Sequence, residues 1–113
     1  AKADMTQVTF FRSGGRMAGF EARGHTGCAP EGEDIVCAGI SALTQTALAG
    51  IREYLGIGCA WEIADGYIAC ALPSDIDEAA WRDAEIILET MALGLKSIAD
   101  TYATSIKLIE REV

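Results

Sequence analysis

The sequence predicts an α+β fold in which two helices pack on a mostly antiparallel sheet, in the order ββαββα with a possible short final strand. Strand-like segments flank turn signals in two places, at residues 5–23 and 57–72. Apolar residues recur at helical spacing in two further segments, 34–54 and 74–102. A chain of 113 residues has room for one hydrophobic core and not for two. We therefore expect a two-layer, single domain over residues 1–113.

The first predicted element is a pair of strands at residues 5–11 and 17–23, separated by the turn residues Ser-Gly-Gly-Arg at 13–16. Residues 24–33 follow, and they are too rich in glycine and too irregular for a helix or a strand. This segment is the one long loop of the prediction.

The first helix is predicted to run from Asp34 to about Tyr54, because apolar residues form one broad stripe there. Asp34 is the expected N-cap, since its carboxylate can accept hydrogen bonds from the free N–H groups of the first turn. Gly56 and Gly58 are expected to stop the helix.

A hairpin is predicted next, with strands at residues 57–64 and 67–72 and the preferred Asp-Gly turn at 65–66. This turn places Trp61 opposite Cys70. The predicted core face carries Cys59, Trp61, Ile63, Ile68, Cys70 and Leu72. The two cysteines on that face are not directly opposite each other, which predicts two buried thiols rather than a bonded pair.

The last helix is predicted to open with Ser74 as its N-cap and Asp77 in an aspartate version of the capping box. Its apolar positions continue for about seven turns to Tyr102. Residues 105–110 are the possible final strand.

Apolar residues off the main stripe of the last helix predict self-association. They are Ile86, Leu88 and Leu93, with Trp81 beside the start of the helix. A monomer of this size would leave a contiguous apolar patch, and such patches usually mark interfaces. We therefore expect a two-fold symmetric homodimer.

Charge and composition exclude several classes of protein. With 9 basic and 17 acidic side chains the formal net charge is -8, which disfavours direct nucleic-acid binding and favours a basic polypeptide partner. No uninterrupted apolar run of 18 residues occurs, so no membrane span is expected. The beginning of the sequence lacks the order of a signal peptide, and four cysteines then indicate thiols in a reducing cytoplasm.

The residues most suited to chemistry are His25, the only histidine, and Cys37. With Asp34 as N-cap, Cys37 would be the third residue of the helix, where free N–H groups and the helix dipole favour a thiolate. The imidazole could take the thiol proton, and the same N–H groups could hold an oxyanion. Ser41 lies one turn beyond Cys37 on the same face, and Gly24 directly precedes the histidine.

Several alternatives remain at this stage. Asp34 can cap the helix or orient His25, Cys37 can be a small core residue, and the histidine can be a solvated loop side chain. A metal site is a further alternative, because His25, Cys28 and Cys37 have suitable ligand types, although no Cys-x2-Cys pair is present. A redox pair of Cys28 and Cys37 is another.

Two blocks of sequence resemble the bacterial ribosomal-processing cysteine protease family, Prp. The first is Gly24-His25 followed by Gly-Glu-Asp-Ile-Val-Cys-Ala-Gly-Ile-Ser-Ala at 32–42, and its Asp-Ile-Val-Cys part is the most specific. The second is Ala-Glu-Ile-Ile-Leu-Glu-Thr-Met at 84–91 with the Gly-Leu pair at 94–95. The resemblance extends over nearly the whole chain.

The resemblance implies a cytoplasmic cysteine endopeptidase without a cofactor or metal, with 1–113 as one protease domain. It implies that Cys37 is the nucleophile and His25 the catalytic histidine, and that Asp34 and Ser41 line the site. The implied substrate is the precursor of the basic ribosomal protein L-twenty-seven, which loses a short N-terminal extension. The implied assembly is a homodimer in which the loop at 24–33 covers the pocket.

One residue departs from the family pattern, since Cys28 lies in the loop where the family has no fixed cysteine. It can be inert, or it can form a reversible disulfide with Cys37. The leading alternative function is a non-catalytic binding module associated with the ribosome, for which the acidic surface and a basic partner would suffice.

Overall fold

The structure, a computed structural model, describes residues 5–24 and 33–113, and in the second range it describes the side chains from Ile35 onward. Its elements are β1 (Thr6–Ser13), β2 (Arg16–Arg23), α1 (Glu33–Ala49), a π-helical turn (Gly50–Tyr54), β3 (Ala60–Ala64), β4 (Tyr67–Ala71), α2 (Glu78–Thr101) and β5 (Ile106–Glu112). The predicted α+β fold and its element order are confirmed. The final strand, predicted at 105–110, is present as β5.

The strands form one sheet in the order β3-β4-β2-β1-β5. The hairpin pairs β1–β2 and β3–β4 are antiparallel, and so is the pairing of β2 with β4 that joins them. β5 runs parallel to β1, which therefore lies inside the sheet rather than at its edge. The sheet is mostly antiparallel, as predicted.

The register of the second hairpin is confirmed, with Ala64 opposite Tyr67 and Trp61 opposite Cys70. Its first strand is shorter than predicted, because Ile57 bonds back to the preceding helical turn: its N–H donates to the carbonyl of Ile51 at 2.9 Å. The chain joins the sheet only at residue 60.

Both helices lie on one face of the sheet and enclose the core with it. The largest fully buried core side chains from the sheet and helices are Val8, Phe10, Met17, Phe20, Ile40, Ile51, Leu88 and Leu95. The prediction that Leu88 lies off the apolar face was wrong, since it is fully buried. Ile86 and Leu93 do lie off that face, with 63% and 66% of their surface exposed.

Glycines bring the two helices close together. A Cβ added at Gly94 would lie 3.0 Å from the Leu43 side chain, and one added at Gly50 would lie 3.1 Å from Ile87. At the other end of the contact, a Cβ at Gly39 would lie 3.2 Å from Ile98. Early residues of α1 therefore contact late residues of α2, and the helices run antiparallel.

Both predicted helix caps were wrong. α1 begins at Glu33, so Asp34 lies within the helix and is not its N-cap. Acidic residues are favoured in a first turn by the helix dipole, so its residue type suits this position as well. At α2 the N-cap is Asp77, whose extended backbone lets its carboxylate accept the Ala80 N–H at 2.9 Å, whereas Ser74 lies further upstream.

One helical segment, Ile35–Tyr54, is long and apolar enough to cross a membrane by length and composition alone, with a mean hydropathy of 1.3. The core helices of globular proteins meet the same criterion. Here Val36, Ile40, Leu48 and Ile51 of this segment are buried in the core beside the sheet.

Candidate active site

Cys37 lies near the start of α1 and is half-buried. The sequence predicted Cys37 as the third residue of the helix. Because the helix begins at Glu33, it is the fifth. The free N–H groups of an α-helix precede this position, and the effect of the dipole falls off beyond the first turn. The first-turn N–H groups therefore lie one turn before the sulfur-bearing residue.

The residues that approach α2 are Gly39 and Leu43 of α1 and Gly50 at the start of the π-helical turn. The opposite side of the helix, which we call the outer flank, carries Cys37, Ser41 and Arg52 at intervals set by the helical repeat. Ser41 is half-buried one turn beyond the cysteine, as predicted. A substrate that reaches the cysteine along this flank would pass the serine.

Gly24 fixes the direction in which the chain leaves β2. Its φ of +93° lies in a region that L side chains rarely adopt, and an added Cβ would lie 3.1 Å from the carbonyl oxygen of Met5. Its N–H donates to the carbonyl of Gly66 in the β3–β4 turn at 3.0 Å. Gly24, which directly precedes His25 in the sequence, is thus held against two neighbouring strand ends.

The start of α1 lies at this same end of the sheet. The Thr6 N–H, next to the strand position that Gly24 approaches, donates to the carbonyl of Ser105 at 3.0 Å. Ser105 lies in the short turn between α2 and β5, and Ile98 of α2 approaches Gly39 of α1. Continuous contacts therefore link Gly24 to the helical turns that carry Cys37.

Three predicted site residues cannot be placed through their side chains. His25 and Cys28 lie outside the described residues, and Asp34 is described only as part of the α1 backbone. Among the described residues no group of three or more His, Cys, Asp or Glu side chains is arranged to hold a metal ion. The proposed ligand set of the metal alternative includes His25 and so lies partly outside the described residues.

Cys59, directly before β3, and Cys70 of β4 form a hydrogen-bonded pair of thiols. Burial raises the pKa of Cys70 well above its usual range, and a hydrogen bond with Cys59 adds to the effect. Cys70 is buried, as predicted, whereas Cys59 is half-buried. A thiol held neutral in this way is a poor nucleophile at neutral pH.

The prediction that Trp61 and Ile63 are core residues was wrong. They face the helix layer, like their β4 partners, but 47% and 48% of their surface is exposed. The reason is that β3 is an edge strand that the helices cover incompletely. The Arg52 guanidinium lies 4.2 Å from the centre of the Trp61 ring, so the outer flank of α1 meets the edge strand there.

The sheet face opposite the helices carries a polar cluster near the same end. Burial favours a higher pKa for Glu21, but hydrogen bonds from Arg23 and Tyr67 outweigh it and hold that pKa below its usual range. The hydrogen bond to Glu21 in turn raises the pKa of Tyr67. This cluster is stabilising and lies on the other side of the sheet from Cys37.

Sequence reasoning missed Gly66 and Arg52 as contributors to this end of the molecule. The Asp-Gly pair at 65–66 indicated a tight turn, but nothing local shows that its carbonyl accepts from Gly24. Arg52 lies in a π-helical turn, a rare element that no simple residue pattern predicts.

Comparisons with known proteins agree with this geometry. The family model for the cysteine protease Prp matches residues 5–107. The ribosomal processing cysteine protease Prp of Bacillus subtilis strain 168 is 29% identical over 107 residues, covering 92% of this chain and 96% of its own. The match includes both the Gly24-His25 pair and the first helix.

Two crystal structures of the essential ribosomal processing protease Prp from S. aureus have the same fold. One, in complex with a substrate peptide, has a TM-score of 0.82 and 23% identity, covering 95% of this chain and 100% of its own. The other, with a covalently linked product peptide, has a TM-score of 0.77 and 24% identity at the same coverage.

Proposed function

The chain belongs to the cysteine protease Prp family, and from that membership we propose that it removes the N-terminal extension of a ribosomal protein precursor with a Cys37/His25 dyad. It is a cysteine protease. The precursor proposed as substrate is that of the basic large-subunit protein L-twenty-seven, and we assign the whole chain, 1–113, to one catalytic domain acting in the cytoplasm.

In the proposed reaction the Cys37 sulfur attacks the scissile carbonyl carbon after His25 has taken its proton. The tetrahedral intermediate collapses to an acyl-enzyme when the imidazolium gives that proton to the leaving amine. Water, activated by the same imidazole, then hydrolyses the thioester and frees the thiol. No cofactor or metal takes part. Asp34 and Ser41 are assigned supporting roles, in orienting the histidine and in lining the site.

The observation that carries this proposal is the common position of Gly24 and Cys37 at one end of the sheet. The bond from the Gly24 N–H to Gly66 sets where the histidine-bearing segment starts, and helix packing sets where the cysteine lies. The family match spans both, which supports the assignment of the two catalytic roles. A half-buried cysteine is also accessible to a peptide, unlike Cys70.

Charge supports a basic substrate. The net charge of -8 attracts a basic precursor over distances comparable with the Debye length, which is about 8 Å at physiological ionic strength. We expect added salt to slow capture of the precursor without moving the cleavage site, because short-range contacts select the bond that is cut.

The direct test is to mix the purified protein, under reducing conditions, with its cognate full-length precursor and to determine the new N-terminus by mass spectrometry. A single cut that removes the extension, and that is lost in Cys37→Ala, is the expected result. A precursor that stays intact would overturn the proposed substrate.

Alkylation separates the protease from the non-catalytic alternative. Iodoacetamide at near-neutral pH should label Cys37 much faster than Cys70, since the raised pKa of Cys70 keeps that thiol protonated. Peptide mapping at short times measures both rates. Equal, slow labelling of the two would contradict a nucleophilic role for Cys37.

We also propose a homodimer. A groove of about 430 Å³ between α1 and α2 is lined by apolar side chains, including Leu43 and Ile87, and the exposed Ile86 stands at its rim. An isologous contact through this face would cover the groove and Leu93 together. Sedimentation at micromolar protein should give about twice the monomer mass, and a value near 12.0 kDa would contradict the dimer.

A further inference from the structure

We infer that the outer flank of α1 and the edge strand β3 form the two walls of a peptide-binding trough, in which Trp61 and Ile63 select apolar substrate side chains. This inference rests on the proposed function, since it takes Cys37 as the nucleophile. It assigns to β3 a role in specificity that lies beyond the catalytic residues.

The first wall is the outer flank itself. Cys37, Ser41 and Arg52 follow one another at four- and eleven-residue steps, which keeps them on one side of the helix, while Leu48 between them is buried in the core. The glycine contacts with α2 occupy the opposite side of α1. The candidate nucleophile therefore faces away from α2 and toward the part of the sheet that α2 does not cover.

The second wall is the helix-facing side of β3. Trp61 and Ile63 share a face with Cys70 and Ile68, their buried β4 partners, and so point toward the helix layer. About half of each side chain nevertheless remains exposed, because β3 is the edge strand of the sheet in the part of the chain that the structure describes. Edge strands are usually short or polar on their exposed side, and large apolar side chains there indicate contact with a partner.

The two walls meet at Arg52. Its guanidinium stacks on the Trp61 ring at 4.2 Å, which closes the trough at the end opposite Cys37 and orients the indole. Ile63 lies two residues further along β3, on the side of the hairpin turn that Gly24 contacts. The trough thus runs from Arg52 past Trp61 and Ile63 to the candidate nucleophile.

The length and chemistry of the trough suit one occupant, an extended apolar peptide segment. Cys37 and Arg52 are separated by about 20 Å along the helix, at roughly 1.5 Å per residue, and about six residues of extended chain span that distance. The free backbone edge of β3 offers N–H and C=O groups to such a chain, as in β-strand addition. The net charge of -8 favours a segment attached to a basic polypeptide.

The test compares two synthetic peptides that share the cleavage site of the precursor, one with its apolar residues and one with these replaced by alanine. Ile63→Ala and Trp61→Ala should each lower kcat/KM for the apolar peptide about tenfold, through KM, because they remove contacts made before and during reaction. The effect should largely vanish with the alanine peptide. Trp61→Phe should recover much of the loss.

Val113→Ala is the matched control, since this exposed apolar residue lies at the opposite end of the sheet, where its N–H bonds to the Arg12 carbonyl. It should leave kcat/KM unchanged. Thermal unfolding of all variants shows whether they fold, and we expect them to, because both trough residues are half-exposed. If the wild type cleaves the apolar peptide and both trough variants cleave it with the same kinetics, the trough is contradicted. The proposed protease activity would still stand.

Binding to Cys37→Ala gives a readout that does not need catalysis. Tryptophan emission should shift as the apolar peptide is added, and the shift should be absent in Cys37→Ala/Trp61→Phe, where only Trp81 remains. If Cys37→Ala binds the peptide but the wild type does not cleave it, the trough is supported and the proposed reaction is contradicted. If Cys37→Ala does not bind the peptide and the wild type does not cleave it, both the trough and the proposed reaction are contradicted.

Discussion

The two ends of the sheet are held together by different forces. At the β1–β2 turn, Arg12 bonds to Glu89 at 2.8 Å and to Glu110 at 2.7 Å. Its neighbour Arg16 bonds to Glu78 and Glu85, both at 2.9 Å, and stacks 3.8 Å from the centre of the Trp81 ring. At the other end, backbone hydrogen bonds join the strand ends around Gly24, and the Arg23–Glu21 ion pair at 2.7 Å lies on the sheet face away from the helices.

This difference separates stability from chemistry. Charged side chains fasten the first half of α2 to the strands, and the hydrogen bonds that Arg12 donates to Glu89 and Glu110 raise the pKa of its guanidinium above the ordinary value. At the end that carries Gly24 and Cys37, backbone hydrogen bonds join the strand ends, and the charged side chains lie on the sheet face away from the helices. Variants of Arg12 and Arg16 at the first end should affect folding alone, whereas variants of Gly24 and Cys37 at the second should affect turnover.

The largest effect is expected at Cys37, the proposed nucleophile. Cys37→Ala should reduce kcat by several orders of magnitude while the free energy of unfolding stays nearly constant, since alanine is a good helix former and only the thiol is lost. His25→Ala should be almost as damaging, because the chain has no second imidazole. Activity above about a tenth of wild type in Cys37→Ala would contradict the dyad.

A smaller effect on the same end is expected from Gly24→Ala. The positive φ and the close Met5 carbonyl oppose a Cβ there, at a cost of about 1–2 kcal/mol in unfolding free energy. Because the residue aims the segment that carries His25, kcat should fall about tenfold or more. Denaturant unfolding and steady-state kinetics measure the two effects. Gly14→Ala is the matched control: it has a positive φ and open space around it, and it should affect stability only.

At the opposite end, Arg16→Met should lower the free energy of unfolding by about 1 kcal/mol and leave kcat/KM unchanged. The variant loses two half-exposed ion pairs and the stacking on Trp81, and such contacts contribute modestly each. Urea unfolding checks the first expectation. A loss of activity without loss of stability would break the proposed separation between the two ends.

The smallest effect concerns acid stability. Since the folded-state pKa of Glu21 is lowered, this group stabilises the fold above its unfolded pKa of about 4.3, and that stabilisation is lost as the pH falls through the folded value. Glu21→Gln should therefore flatten the fall in unfolding free energy below pH 4. Urea melts from pH 3 to 7 measure the slope, and an unchanged slope would contradict the role of Arg23 and Tyr67.

The parts of the fold that could be predicted are those determined by local chemistry. The Asp-Gly turn at 65–66 sets the register that places Trp61 opposite Cys70, and the helical spacing identifies both helices. Whether Trp61 is covered depends on how far the helix layer extends over the edge strand, which no local pattern contains. The N-cap of α2 was misplaced because Ser74, Asp75 and Asp77 are all good caps, and the backbone at residue 77 decides between them.

The candidate site was predictable in residue type more than in position. A lone histidine and a cysteine early in a helix identify the chemistry, but the exact start of α1 moves Cys37 by two positions along it. The bond between Gly24 and Gly66 joins segments more than forty residues apart, so it follows from the sheet order β4-β2 and not from either segment alone.

The parallel pairing of β5 with β1 determines when the sheet can close during synthesis of the chain. Thr6 pairs with Ile106, so one side of an interior strand stays open until residues 106–112 have been synthesised. Sheet closure must then await the release of the last strand from the exit tunnel, and contacts this distant in sequence form slowly. A nascent copy would hold the two proposed catalytic residues long before it had the finished sheet, so activity is expected to appear only after β5 has been synthesised and has paired with β1.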